Sequence, residues 1–126
     1  MGRGKHVKES DIRNLLYLQA IVNETLRLYL ASPFVIRSLL EDCTLSGGYN
    51  IPANTRVMVN VWKVHRDERV WPNPRDFEPE RFLSSHEDVE PRGQSFELIH
   101  FSSGRRSCPE ISMALKMVHI ALTSFL

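Results

Sequence analysis

The chain has 126 residues, of which 42% are hydrophobic and 25% charged, and a formal net charge of +1. That is one domain's worth of chain with a modest core, without the basic excess a nucleic-acid partner requires. No window is apolar for long enough to span a membrane, and the polar, basic start Met1-Gly2-Arg3-Gly4-Lys5-His6 has no signal-peptide apolar region.

The first predicted element is a helix over 11–29. Ser10 is placed to cap it and Asp11 to favour its positive end. Leu15, Leu16, Leu18, Ile21, Val22, Leu26 and Leu28 recur at helical spacing. Pro33 ends any continuation. Four β-prone runs follow: Phe34-Val35-Ile36, Cys43-Thr44-Leu45, Tyr49-Asn50-Ile51 and Arg56-Val57-Met58-Val59-Asn60. Gly47-Gly48 marks a tight turn, Pro52-Ala53-Asn54-Thr55 another, and the alternation of Val57, Val59 and Val61 predicts a small antiparallel sheet. A short helix is expected over 60–66 and a turn over 67–71. Pro72, Pro74 and Pro79 impose irregular backbone up to Phe82, and 84–97 reads as an exposed meander. The last predicted helix, Ile111 to Leu122, is mostly apolar and expected to be buried, with Pro109 at its first position. The fold class is α+β, mostly helical.

Two cysteines, Cys43 and Cys108, are too few for a disulfide framework and lack paired zinc-ligand spacing. Cys43 reads as a core or strand cysteine with no chemistry, and Cys108, taken alone, could be a buried structural cysteine. Its surroundings point elsewhere. In His100-Phe101-Ser102-Ser103-Gly104-Arg105-Arg106-Ser107-Cys108-Pro109 the thiol follows a glycine turn and two arginines and precedes a helix. Adjacent cations and a helix N-terminus both favour the thiolate, the form that binds metal. A lone thiolate on a tight loop suits an axial ligand to haem iron. None of the five histidines offers a rival metal-ligand pair: His65 and His119 read as structural, His6 and His86 as solvated.

The spacing Phe101-x-x-Gly104-x-Arg106-x-Cys108 resembles the haem-binding signature of the cytochrome P-450 monooxygenases, a haem-thiolate family. Three further segments resemble that family in its own order. They are Glu24-Thr25-Leu26-Arg27 (the ExxR motif of the K helix), Asn60-Val61-Trp62-Lys63-Val64-His65-Arg66-Asp67 in plant-type wording, and Pro79-Glu80-Arg81-Phe82 (the PERF motif). The resemblance implies Cys108 as the iron ligand and Phe101 packing on the porphyrin, with Gly104 allowing close approach. It implies Arg106 turned inward to a haem propionate, Arg105 outward, and Arg37 as a second propionate contact. Glu24 and Arg27, at i and i+3, would alone be an ordinary surface pair. The resemblance adds Arg81 and makes the three a buried structural triad.

The implied protein is a haem b monooxygenase that inserts one oxygen atom of O2 into a small hydrophobic substrate, with electrons from NADPH-cytochrome reductase. Full-length members sit on the cytosolic face of the endoplasmic reticulum membrane; this stretch, having no anchor, is expected to be cytoplasmic if expressed alone. The resemblance makes 1–126 a single partial domain, a truncated C-terminal part without the membrane anchor, the distal oxygen-activating helix and most substrate-recognition segments. Turnover by this part alone is not expected, and the competing expectation is an inactive remnant that binds haem weakly or not at all. Four positions depart from the family pattern. Glu110 replaces a glycine, His100 a proline and Ser102 a glycine, while Leu30 stands where proline is frequent. Glu110, adding bulk and negative charge beside the thiolate, is expected to weaken haem binding.

Overall fold

The computed structural model describes residues 15–92 and 95–125. Helix α1 runs Leu16–Leu28. The expected cap Ser10, the first turn from Asp11, and His6 lie outside the described residues. Strands β1 (Phe34–Ser38), β2 (Cys43–Thr44), β3 (Asn50–Ile51) and β4 (Arg56–Asn60) follow, then the short helix α2 (Val61–Val64). Single 3-10 turns cover Pro79–Leu83 and Gly104–Arg106, and α3 is Ile111–Ser124.

The strands form two separate antiparallel ladders and not the single sheet expected. In one, β1 pairs with β4, setting Val35 against Val59 and Arg37 against Val57 on the half-buried face. Backbone bonds Leu39 N to Thr55 O and Asn54 N to Leu39 O extend this ladder past Ser38. The other is the hairpin β2–β3, turned by Gly47 and Gly48 at φ 107 and 82, a region open to glycine. Pro52 has no N–H to continue a ladder. The chain bends there, with the Ala53 N–H held by Asp42 Oδ1 at 2.7 Å, so the hairpin projects from the larger ladder.

The core lies between α1 and the irregular middle of the chain. Ala20, Trp71, Phe82 and Leu98 are its buried centre, with Val70 and Val89 packed against it. Trp71 and Phe82 meet at 5.8 Å between ring centroids. The proline-rich stretch therefore closes over α1 as a wall with almost no regular structure. The stretch expected to be an exposed meander contributes to that wall: Val89 is half-buried and Pro91 buried. His86, expected to be solvated, stacks on Trp71 at 4.4 Å and donates from Nε2 to Val70 O at 2.9 Å. A polar local sequence hid these contacts because their partners are distant in the chain.

Helix α3 is buried on one stripe only, Leu115, His119 and Thr123, four residues apart. Met113, Met117, Val118, Ile120 and Leu122 are exposed. The expectation of a buried helix is thus corrected, because a mostly apolar sequence hides which face is covered. Pro109 is also outside the helix: it forms a turn with Glu110, the N-cap residue.

Candidate functional site

Helix α1 places Glu24 and Arg27 on its most buried stripe, both with no solvent exposure. A buried guanidinium needs every donor answered. Arg27 Nε and Nη2 donate to the two oxygens of Glu24 at 2.7 Å each, Nη1 to His65 O and Pro74 O at 2.8 Å each, and Nη2 also to Asp76 O at 3.1 Å. That accounts for all five guanidinium N–H groups. The face of the same group lies over the Trp71 ring at 5.2 Å.

Glu24 Oε1 also accepts from Arg81 Nε at 3.3 Å and from the Glu78 backbone N–H at 2.9 Å. Arg81 continues to Pro72 O at 2.8 Å and to the Glu78 carboxylate at 3.1 Å. Glu24, Arg27 and Arg81 are therefore brought together, with a fourth charge, Glu78, that sequence reasoning missed. Its signal was available: Glu78 and Arg81 are three apart across the start of the PERF turn. The buried network thus holds two cations on one carboxylate, and Glu78, its side chain 42% exposed, adds a second carboxylate at the rim.

The C-terminal end of α1 ties this network to the cysteine loop. A helix leaves its last four carbonyls without intrahelical partners. Here Thr25 O accepts from Tyr29 N at 2.8 Å. Leu26 O accepts from His100 Nδ1 at 2.9 Å, Arg27 O from His65 Nδ1 at 3.1 Å and Leu28 O from Arg66 Nη2 at 2.6 Å. Three of the four partners are side chains from distant segments. His65 has no solvent exposure, and its Nε2 accepts the Ile99 N–H at 3.0 Å. With a carbonyl on one nitrogen and an N–H on the other, the ring is neutral with its proton on Nδ1. Burial, the first cause, holds its pKa down to about 4, against the opposing bond to Arg27 O. Burial also lowers the His100 pKa.

From Ile99 the loop turns sharply. Ser102 N–H donates to Ile99 O at 2.9 Å, and Cys108 N–H closes back on Phe101 O at 3.0 Å. Ser102 and Gly104 take positive φ, 65 and 73. A Cβ at Gly104 would meet nothing within 4 Å, so the backbone conformation asks for glycine and the space beside it is open. Cys108 and Phe101 are half-buried, and Phe101 meets His100 edge to face at 5.0 Å. Cys108 and Cys43 are both free thiols.

Arg37 reaches from β1 to this loop, donating from Nη2 to Ser102 Oγ and, at 3.1 Å, to Arg106 O. Arg37, Leu40, Ser103, Arg105 and Arg106 line an open concavity of about 500 Å³. Arg105 and Arg106 are both exposed and both border it. Both belong to the 3-10 turn Gly104–Arg106, none of whose residues is buried. Glu110 is exposed at φ −90, a conformation any residue adopts.

The comparison with protein families decides what these motifs amount to: the model described as Cytochrome P450 matches residues 1–126. The chain belongs to the cytochrome P450 family. It is 56% identical to cytochrome P450 82A1 of Pisum sativum, an alignment covering 100% of the chain and 23% of that relative. It is 51% identical to a xanthotoxin 5-hydroxylase of Arabidopsis thaliana and 52% identical to a flavonoid-6-hydroxylase of Ocimum basilicum. Each alignment covers 100% of the chain and 24% of the relative. The chain thus spans about a quarter of the length of these curated P450 relatives. No helix among the described residues is long and apolar enough to cross a membrane.

Two features of this P450 chain escaped sequence reasoning besides Glu78. His65 and His100 cap α1 from a distance, and neither has a local signature. His119 is buried, donating to Leu115 O at 2.6 Å while its Nε2 has no partner. Its i−4 carbonyl is the only part of that arrangement a helical pattern implies.

Proposed function

We propose that this chain is the haem-binding part of a plant monooxygenase in which the Cys108 thiolate is the axial ligand of haem b. The observation that carries the reading is a free, half-buried thiol on a hydrogen-bonded loop, bordered by a cationic concavity. These residues fit the group. A thiol supplies the soft anionic ligand, the arginines suit two carboxylates, and the empty space beside Gly104 leaves room for a flat ring. Arg106 is assigned to one propionate. Arg37 is assigned to the other, from a side chain that already ties β1 to the loop. Phe101 shields the sulfur from water.

When bound, haem supplies the oxygen-activating chemistry. The chain's own part is to present the sulfur at a fixed position, to anchor the carboxylates, and to brace the loop through the Glu24-Arg27-Arg81 network. The whole protein is a hydroxylase drawing electrons from NADPH-cytochrome reductase at the endoplasmic reticulum. The names of its relatives favour a small oxygenated aromatic substrate. The negative charge of Glu110 near the thiolate weakens haem affinity without blocking the loop.

The test is the absorption spectrum of the purified chain with added haem, reduced under carbon monoxide. A Soret band at the red-shifted haem-thiolate position, absent in Cys108→Ser, is the expected result. Equal haem binding by Cys108→Ser, or none by the wild type, overturns the proposal.

A further inference from the structure

We propose that His65 is a positioning residue for the cysteine loop, a neutral two-sided clamp that fixes the Ile99 amide to the C-terminal end of α1. As a role in ligand placement this rests on the assignment of Cys108 to the haem iron. The clamp itself rests on geometry alone. Nδ1 donates to Arg27 O at 3.1 Å and Nε2 accepts from Ile99 N–H at 3.0 Å. The His65 carbonyl in turn accepts from Arg27 Nη1 at 2.8 Å. One residue is thus bonded three ways, to the backbone and side chain of the ExxR arginine and to the segment entering the loop.

Among the described residues, His65 is the one bridge of hydrogen bonds from that buried arginine to the loop entrance. His100 Nδ1 holds Leu26 O one carbonyl earlier, and Arg37 holds Ser102 and Arg106 O from the opposite side. These two contacts fall within the loop, whereas Ile99 is its buried entrance, 9% exposed. Ile99 O then accepts the Ser102 N–H at the first turn, so a shift of Ile99 moves the loop as a unit. The charged and titratable groups facing His65 are Arg27 on α1, Arg66 beside it in sequence and His100 on the loop, and all three oppose a proton on Nε2. The Nε2 lone pair therefore stays available to the Ile99 amide at neutral pH.

Two variants separate the halves of the clamp. His65→Gln keeps an acceptor near the Nε2 position; His65→Asn keeps a donor near Nδ1 and loses the acceptor. Amide hydrogen exchange is measured on the full chain without haem, with the combined fluorescence of Trp62 and Trp71 reporting the fold. The expected result is Ile99 exchange about tenfold faster in His65→Asn, the loss of one hydrogen bond, and within a fewfold of wild type in His65→Gln. With haem added, the thiolate Soret fraction falls in His65→Asn and is retained in His65→Gln. Equal exchange at Ile99 in all three proteins overturns the proposal, as does equal acceleration in both variants. Should either variant fail to fold, nitrogen-15 shifts of the wild-type ring decide. A proton on Nδ1 with coupling from Nε2 to the Ile99 amide supports the clamp, and a proton on Nε2 at pH 7 overturns it. Failure of the wild type to take up haem overturns the function proposed above and leaves the exchange readings of the clamp intact.

Discussion

Buried charge sets the terms at the scale of single residues. Glu24 offers two oxygens to four donors, so its removal strands Arg27 in the core and weakens the hold on Arg81. Glu24→Ala is expected to cost about 3–5 kcal/mol, read from the shift in denaturation midpoint. The exposed pair Asp67–Arg69 should contribute nearly nothing when broken, although its oxygen–nitrogen distance is 2.6 Å. His65 adds a pH dependence. The unfolded ring takes a proton near its ordinary pKa of 6.5, whereas the folded ring refuses it until about pH 4. Its stabilisation is therefore complete above the upper value and lost as pH falls through that window, on the order of 3 kcal/mol in all. Thermal unfolding followed from pH 7.5 down to 4 should show the loss in wild type and a flatter profile in His65→Gln. Gly104→Ala meets no neighbour, so only its positive φ counts, and a loss of about 1 kcal/mol is expected by denaturant titration.

Elements explain where the sequence was readable. Helix α1 and β4 announce themselves by periodicity, because each buries one face against the rest, while β1 and α3 are marked by β-prone and apolar composition alone. The motif residues were readable too: Glu24, Arg27 and Arg81 meet, and the loop turns at Gly104. What stayed hidden are contacts between segments with no local pattern. His86 on Trp71, Val89 and Pro91 in the wall, and Glu78 beside Arg81 all lie in polar, proline-rich chain. Two ladders in place of one sheet had the same origin, since pairing of two-residue strands depends on the bend at Pro52. Helix α3 shows the limit from the other side: its sequence is mostly apolar, and only the fold selects the stripe of Leu115, His119 and Thr123. Leu115→Ala is accordingly expected to destabilise by about 2–3 kcal/mol. Met117→Ala, at a position 63% exposed, should leave the unfolding midpoint almost unchanged.

Among the described residues more large hydrophobic side chains stand exposed than buried. Leu40, Tyr49, Phe96, Met117 and Phe125 are among the large side chains that are more than half exposed. Contiguous apolar patches drive association, so the chain by itself is expected to self-associate. Light scattering at rising concentration should show mass growth that mild detergent suppresses.

The way α1 ends has a consequence for how the chain folds. Its final carbonyls are answered by His65 and Arg66, 38 positions onward, and by His100, 74 positions onward. No nearby residue supplies those bonds, so the last turn of the helix has nothing to complete it until most of the chain has been made and gathered. Ordering is thereby non-local and late, with the loop-closure entropy of long segments met before the contacts repay it. A peptide comprising α1 alone should fray from Leu26 onward. Chains released before the cysteine loop is synthesised should hold the ExxR pair only loosely. The cysteine loop and the helix end, far apart in sequence, are expected to become structured in a single kinetic step.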